Sequence, residues 1–222
     1  MIDHDVPAPQ AEPVRSARRV DGDGWTGHVL VAAMVALALV TGLNYTFSVA
    51  VMPALADADD STFVEITQRF NDNPVFQLTY FVALALMVVA PLVQRRHGSG
   101  VAVRWTVVAL VLYGVVVAVT LGIHVPLNDD IDQVSASDGV ASLAEARDDF
   151  EDPWVAWHVV RTVLSTAAVA ALARALIWHG RGTTDRAAGA GDGGPSSAPP
   201  TTAFPAASPP PAGPNPRGRS IR

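Results

Sequence analysis

The sequence contains no cysteine, which excludes disulfides, thiol redox relays, zinc–thiolate sites and iron–sulfur clusters. It contains no lysine either, so all fifteen basic residues are arginine. Charged residues make up only 16% of the chain, whereas a soluble domain carries about a quarter. The net charge is −6, and no basic stripe with interleaved aromatic residues is present. These features argue against nucleic acid as a partner and against a soluble domain.

Long apolar blocks are what the sequence has instead. Half of its 222 residues are hydrophobic, and the mean hydropathy is +0.27. A helix that crosses a bilayer needs about 20 mostly apolar residues. The first apolar block is too long for the core of a signal peptide, although "ALAD" at 54–57 resembles a cleavage site, so we predict an uncleaved anchor. We predict an all-α, four-helix transmembrane bundle with spans at about 27–52, 74–93, 104–123 and 153–178.

The arginines predict the orientation of the bundle. They cluster before the first span, between the second and third spans, and after the fourth span. The two remaining loops carry one arginine each, Arg69 and Arg147, among many acidic residues. Because cytoplasmic loops are enriched in positive residues, we expect both termini on the cytoplasmic side of the cell membrane.

The segments outside the membrane divide into tails and structured loops. Residues 1–26 show no apolar period, and residues 180–222 are rich in Gly, Pro and Ala, so both are predicted to be disordered cytoplasmic tails around a membrane domain at 27–179. For the C-terminal segment, a disordered extension is favoured over the alternative that its Pro-rich sequence binds another protein. Each external loop is predicted to hold a short helix. The first is capped by Asp60 or Ser61, and the second runs into Pro153.

The polar residues of each span lie on one helical face. We assign side chains to one face when their angles around the helix axis, at 100° per residue, agree within about 60°. The predicted topology places most of these residues in the extracytoplasmic half of the bundle. We therefore predict a polar pocket that opens toward that side. The four stripes are Thr41, Asn44 and Ser48; Asn73, Gln77 and Tyr80; Tyr113, Thr120 and His124, followed by Asn128; and Trp154, Trp157, His158, Arg161 and Ser165.

Three residues of these stripes carry the chemistry. Ionisable groups inside a membrane are costly and usually face the protein interior, which makes His124, His158 and Arg161 the candidate catalytic residues. No metal site is predicted. The predicted pocket-lining residues are Asn44, Ser48, Asn73, Gln77, Tyr80, Thr120, Asn128, Trp154 and Trp157.

Simpler interpretations of the same residues stay open. The small polar side chains could only join helices by hydrogen bonds. Arg161 could extend to the lipid headgroups, and His124 could cap a helix that Pro126 ends. The other histidines, His28, His97 and His179, are expected to lie solvated at the cytoplasmic ends of the spans.

At these residues the chain resembles the anthrone oxygenase-like family, formerly a family of unknown function. The resemblance covers about 27–178. It implies a small four-helix integral membrane protein. A few fungal members oxidise an anthrone to an anthraquinone with molecular oxygen, whereas most members, bacterial ones especially, have no assigned activity. The motifs, in order, are "FSVAVMPAL" (47–55), "NDNPVF" (71–76), "HVPLN" (124–128) and "WVAWHVVRT" (154–162).

This resemblance suggests a cofactor-free oxygenase that acts on an anthrone-like or other apolar aromatic molecule. His158 or His124 would remove a proton from the substrate, and Arg161 would hold the resulting enolate. The expected partners are the lipid bilayer, the aromatic substrate and molecular oxygen. Two alternatives remain: a haem-binding electron carrier with His124 and His158 as axial ligands, and a non-catalytic membrane scaffold or accessory protein.

Overall fold

The computed structural model describes residues 12–97 and 100–191, which are helical and contain no strand. Short π-helices follow α1 and α5, and a 3₁₀ turn precedes α7. The α-helices are α1 (Glu12–Thr46), α2 (Met52–Ala56), α3 (Asp60–Asn71), α4 (Pro74–His97), α5 (Gly100–Val119), α6 (Val125–Asp132) and α7 (Val140–Gly191).

Four helical stretches are long and apolar enough to cross a membrane, as in a multi-pass membrane protein, and this confirms the predicted bundle. All four exceed the predicted spans, with lengths of 33, 23, 33 and 46 residues in chain order. At 1.5 Å per residue, a 33-residue helix is about 50 Å long, against a hydrocarbon core of about 30 Å. The excess length extends beyond the bilayer. The four stretches are Gly24–Ala56, Pro74–Arg96, Gly100–Asp132 and Val140–Asp185.

The core of the bundle combines small and large apolar side chains. Alanines on all four helices are fully buried, which lets the backbones approach closely. Larger side chains such as Leu37, Met87 and Tyr113 fill the remaining space. Exposed positions of the same helices carry Leu39, Phe81 and other apolar residues, as expected for a surface that faces lipid.

A second apolar core joins α2, α3, α6 and the first turns of α7, and we call this assembly the cap. Arg147 of α7 fixes the cap, because its guanidinium donates to the carbonyls of Ala58 (2.8 Å) and Ala56 (2.9 Å). The same group pairs with Asp60 (3.0 Å) and Glu151 (2.7 Å). The buried residues of the cap are Met52, Leu55, Phe63, Val64, Ile131, Leu143, Phe150 and Trp154.

The cap departs from the sequence prediction in two places. The residue that caps α3 is Asp59, not Asp60 or Ser61: its carboxylate accepts from the backbone N–H of Thr62 at 3.1 Å. Hydrogen bonds from Ser61 and Thr62 hold the pKa of Asp59 below its usual range. The predicted helix break at Pro153 is also wrong, because α7 continues through it. A proline removes one backbone hydrogen bond, whereas Phe150 before it and Trp154 after it both stay buried in the cap core.

The first and last helices extend into segments for which disordered tails were predicted. Helix α1 begins at Glu12 and α7 ends at Gly191. Adding residues to an existing helix needs no new nucleus, so a long span can continue through segments without an apolar period. The predicted tails at 1–11 and 192–222 lie outside the described residues.

Candidate functional site

Two single-turn π-helices interrupt the first and third spans, at Phe47–Val51 and Thr120–His124. Each is followed, two residues after its end, by a proline: Pro53 and Pro126. A proline cannot donate a backbone hydrogen bond, and its ring clashes with the carbonyl four residues earlier, so the wider π-turn relieves both effects. The prediction that Pro126 ends the helix is therefore wrong, since the chain continues as α6.

His158 and Arg161 form a buried pair at the level of these π-helices. An Nη2 atom of Arg161 lies 2.7 Å from Nδ1 of His158, and Nε2 of His158 lies 2.9 Å from the backbone oxygen of Asn44. His158 is 2% exposed and Arg161 is 6% exposed. Arg161 does not extend to the surface, so the predicted alternative in which it reaches the headgroups does not hold.

The hydrogen bonds of His158 define its tautomer. A guanidinium can only donate, so Nδ1 of His158 accepts from Arg161. A backbone carbonyl can only accept, so Nε2 donates to Asn44. His158 is therefore a neutral imidazole with its proton on Nε2, and both ring nitrogens are engaged.

His124 lies beside this pair with a different pattern of contacts. Its ring centroid is 5.9 Å from that of His158 and 5.2 Å from that of Trp154. Its Nδ1 makes a long contact of 3.5 Å to the carbonyl of Val119, whereas its Nε2 is buried and has no hydrogen-bond partner among the described residues. The backbone carbonyls of Val119 and Trp154 both lie near the ring, and in the tautomer with the proton on Nδ1 the buried Nε2 carries the lone pair.

Arg161 is a buried cation without an anionic partner. None of the ion pairs within the described residues includes it. Its remaining contacts are a hydrogen bond to the hydroxyl of Thr120 (3.2 Å) and the ring faces of Tyr80 (5.8 Å) and Trp154 (5.9 Å). Its Nε has no hydrogen-bond partner in the part of the chain that the structure describes. Such a group favours a negative charge nearby.

Asn44 connects the first span to the other three. The hydroxyl of Tyr80 donates to its side-chain oxygen, and the hydroxyl of Tyr113 donates to the Tyr80 carbonyl at 3.1 Å. Close by, Ser48 and Thr162 share a hydrogen bond of 3.0 Å. Helices α1, α4, α5 and α7 are thus joined at one depth, as the polar stripes predicted.

Aromatic rings cover the side of the site that faces the cap. Trp154 stacks on His158, with ring centroids 4.4 Å apart and an angle of 8° between the planes. The indole N–H of Trp154 donates to Asn128 at 3.1 Å. The ring of Phe47 packs near both, with its centroid 6.1 Å from that of Trp154 and 5.9 Å from that of His158. Phe47 was not predicted as a site residue, because the search for polar stripes passes over side chains without a polar atom; its place in the "FSVAVMPAL" motif was the available signal.

A cavity of about 310 Å³ lies between α6 and α7 on the cap side of these rings. Its wall includes Phe150, which stacks on Trp154 with centroids 5.8 Å apart. The cavity therefore ends two stacked rings away from His158. Its lining residues are Leu127, Asp130, Ile131, Val134, Ser142, Glu145, Ala146, Asp149 and Phe150.

Three residues predicted to line the pocket lie elsewhere. Asn73 accepts from the backbone N–H of Val75 (3.0 Å) at the start of α4. Gln77 is exposed and donates to the carbonyl of Asn71 (3.4 Å), and Trp157 is 41% exposed on the outer surface of the bundle. Around the helix axis, at 100° per residue, Gln77 lies about 60° from Tyr80, and Trp157 lies about 60° from Trp154. This angle is the limit within which side chains were assigned to one polar stripe. The predicted residues that the structure brings together are Asn44, Ser48, Tyr80, Thr120, His124, Asn128, Trp154, His158 and Arg161.

The end of the bundle away from the cap also contains buried polar groups. The hydroxyl of Thr106 donates to Gln94 at 2.6 Å, and both side chains are fully buried. His179 is 6% exposed, so the prediction that it is solvated is wrong. His28 is exposed, as predicted, and the side chain of His97 lies outside the described residues. Within the described part of the chain, no group of three or more His, Asp or Glu side chains is placed to hold a metal ion.

Comparison with known proteins supports the resemblance noted in the motifs. Residues 68–171 match the family model described as Anthrone oxygenase. The matched segment includes His124, His158 and Arg161 and ends within the fourth span, whereas Asn44 and Ser48 lie before it. No curated protein and no solved structure matches the chain. Over residues 68–171 the chain thus carries the sequence pattern of the anthrone oxygenase family, which confirms the resemblance predicted from its motifs.

Proposed function

We propose that this protein is a membrane oxygenase that needs no cofactor and acts on an anthrone-like or other apolar aromatic substrate. One observation carries the proposal: the guanidinium of Arg161 is buried next to two buried histidines and has no carboxylate partner within residues 12–97 and 100–191. This arrangement suits a reaction in which a neutral substrate becomes an anion inside the site. The match of residues 68–171 to the Anthrone oxygenase family model supports the reaction type.

The reaction begins with a proton transfer. A histidine takes one proton from the substrate CH₂ group. The electron pair of the broken C–H bond is delocalised through the fused rings onto the carbonyl oxygen, which lies across the central ring of an anthrone, and this gives an enolate. Arg161 lies where its N–H groups can stabilise the negative oxygen, and in a site shielded from water such an interaction is strong. A general base contributes about 10²–10⁴-fold to a rate of this kind.

Molecular oxygen is the oxidant. The enolate carbon transfers its electron pair to O₂ by way of single-electron steps and forms a C–O bond, which gives a peroxide anion that takes the proton back from the histidinium. Loss of the second C–H proton then breaks the O–O bond and releases water. The sum is CH₂ + O₂ → C=O + H₂O, so atoms and electrons balance without a protein cofactor.

The contacts of His158 argue against the haem alternative. An axial ligand must offer a ring lone pair to iron, but Nδ1 of His158 accepts from Arg161 and Nε2 donates to Asn44.

We propose that the cap faces the extracytoplasmic side of the cell membrane and that both termini are cytoplasmic. Arg95, Arg96 and Arg104 lie exposed at the other end of the bundle, where they suit the cytoplasmic face. At the cap end, Arg69 and Arg147 are neutralised by ion pairs with acidic side chains. The substrate would then enter from the outer leaflet or through the cavity beside Phe150.

The test is oxygen uptake by the protein in nanodiscs with an anthrone as substrate, measured against empty nanodiscs to subtract autoxidation. We expect uptake that saturates with substrate and yields the quinone. Arg161→Gln should lower kcat by about 10²–10³-fold, as loss of one oxyanion donor does. The matched control is Arg174→Gln, since Arg174 contacts Trp105 away from the site. Wild-type protein no faster than empty nanodiscs would favour the non-catalytic scaffold, whereas full activity in Arg161→Gln would show that Arg161 does not stabilise the enolate.

A further inference from the structure

We infer that the two histidines have different roles: His124 is the base, and His158 is a positioning residue that holds Arg161. This inference rests on the proposed function, but it also predicts a property of the resting protein. It follows from the hydrogen bonds of the two rings, which the sequence alone does not distinguish.

His158 has no free lone pair. A base must accept a proton at a ring nitrogen that is not already used. The only acceptor of His158, Nδ1, is occupied by the N–H of Arg161 at 2.7 Å. If His158 took a proton there, two cationic groups would face each other in a buried site, and the hydrogen bond that orients the guanidinium would be lost. His158 is therefore placed to hold Arg161 and not to exchange protons.

The backbone of α1 fixes the orientation of the His158 ring. The carbonyl of Asn44 accepts from Nε2 of His158 at 2.9 Å, three residues before the first π-helix at Phe47–Val51. The Asn44 carbonyl is shared by His158 and the hydroxyl of Ser48 (3.1 Å). Trp154, stacked on the ring, prevents it from turning.

His124 has the complementary pattern. Its Nε2 is buried and has no partner among the described residues, and its Nδ1 faces the Val119 carbonyl. It belongs to the same π-helix as Thr120, whose hydroxyl accepts from Arg161 at 3.2 Å. The free lone pair and the unpartnered guanidinium therefore share one site. A substrate whose carbonyl accepts from Arg161 would present the CH₂ group on the opposite side of its central ring to Nε2 of His124.

A pair of His→Gln substitutions separates the two roles in the oxygen-uptake assay. Glutamine has one acceptor and one donor, as neutral His158 does, but it is not a base. We expect His124→Gln to lower kcat by about 10²-fold or more. His158→Gln should stay within about tenfold of wild type, whereas His158→Phe, which keeps a ring but loses both hydrogen bonds, should fall below His158→Gln. His28→Gln, at an exposed histidine, is the matched control.

The opposite ranking, with His158→Gln inactive and His124→Gln active, would overturn the inference, and so would two equally inactive variants. Each variant is first checked for a helical circular dichroism spectrum and a single elution peak.

A second measurement does not depend on activity or on any variant's function. Nitrogen NMR of [¹⁵N]histidine-labelled protein in nanodiscs distinguishes the two neutral tautomers and the imidazolium. We expect His158, assigned by the signals lost in His158→Gln, to be neutral with its proton on Nε2. A proton on Nδ1, or a doubly protonated ring, would contradict the positioning role. If wild-type protein shows no oxygen uptake while this tautomer is present, the proposed function fails but the arrangement of His158 and Arg161 stands.

Discussion

Trp154 lies flat on His158, with 4.4 Å between the ring centroids, and it is also one of the buried residues of the cap core. One side chain is thus part of both the cap core and the polar site. Its indole N–H reaches Asn128 of α6, so the contact extends to a third element. The packing of the cap and the geometry of the site are therefore coupled through Trp154.

We expect Trp154→Ala to destabilise the protein by about 3–5 kcal/mol, because it removes a large buried ring from two packed groups. Trp154→Phe keeps a ring that can stack on His158 but loses the hydrogen bond to Asn128. Loss of this hydrogen bond should lower the free energy of unfolding by about 1 kcal/mol, in addition to the effect of burying a smaller ring. The measurement is unfolding in detergent monitored by circular dichroism. In a double-mutant cycle, Asn128→Ala should add little to Trp154→Phe; full additivity of the two changes would show that the hydrogen bond is not formed.

The second prediction concerns the residue that fixes the cap. Arg147→Gln should destabilise the cap by about 2 kcal/mol, since the guanidinium donates to the carbonyls of Ala56 and Ala58 and pairs with Asp60. Amide hydrogen exchange in α3 should then become faster, while exchange in the core of the bundle stays unchanged. Arg69→Gln is the control, because Arg69 and Glu65 form an exposed pair that contributes little. Equal effects of the two substitutions would contradict this role for Arg147.

The third prediction concerns the π-helix at Thr120–His124. Pro126→Ala restores a backbone N–H and removes the clash that favours the π-turn. We expect the segment to shift toward an ordinary α-helix and to displace His124, which would lower oxygen uptake by up to about 10²-fold without unfolding the protein. Pro74→Ala, at the exposed first residue of α4, should have no effect on uptake. Unchanged uptake in Pro126→Ala would mean that the proline does not position His124.

A fourth prediction compares two neighbours on α4. Tyr80→Phe leaves the buried side-chain oxygen of Asn44 without a donor and should cost about 1–3 kcal/mol of stability. Gln77→Ala, at an exposed position, should change stability by less than about 0.5 kcal/mol. Thermal unfolding of both variants in the same detergent is the measurement. A larger effect at Gln77 than at Tyr80 would reverse the assignment of the buried face.

The sequence predicted the bundle because a run of about 20 apolar residues has few alternatives to a membrane span. It also predicted which residues of α7 face the interior, since His158, Arg161 and Ser165 follow an ordinary helical period and are all buried. The prediction of a buried side chain was wrong for Gln77 and Trp157. Both lie at the edge of their polar stripes, where the angle around the helix axis does not decide whether a side chain is buried.

The parts of the site that could not be predicted depend on backbone geometry. A π-turn adds a residue to the pairing interval, and a fixed period of 3.6 residues contains no information about where this occurs. The prolines at 53 and 126 were visible, but a proline is read first as the end of a helix. The different hydrogen bonds of His124 and His158 arise only from the folded structure.

Helix α7 is continuous from Val140 to Gly191, so residues of the cap, the site and the bundle core belong to one helix. The cap therefore cannot be exchanged between relatives as a free module. Each residue inserted between Phe150 and His158 would rotate the cap by about 100° relative to the site. Seven inserted residues, about two turns, would nearly restore the rotation but would raise the cap by about 10 Å. Chimeras that join the cap of one protein to the spans of another must therefore keep the number of residues across Pro153 unchanged.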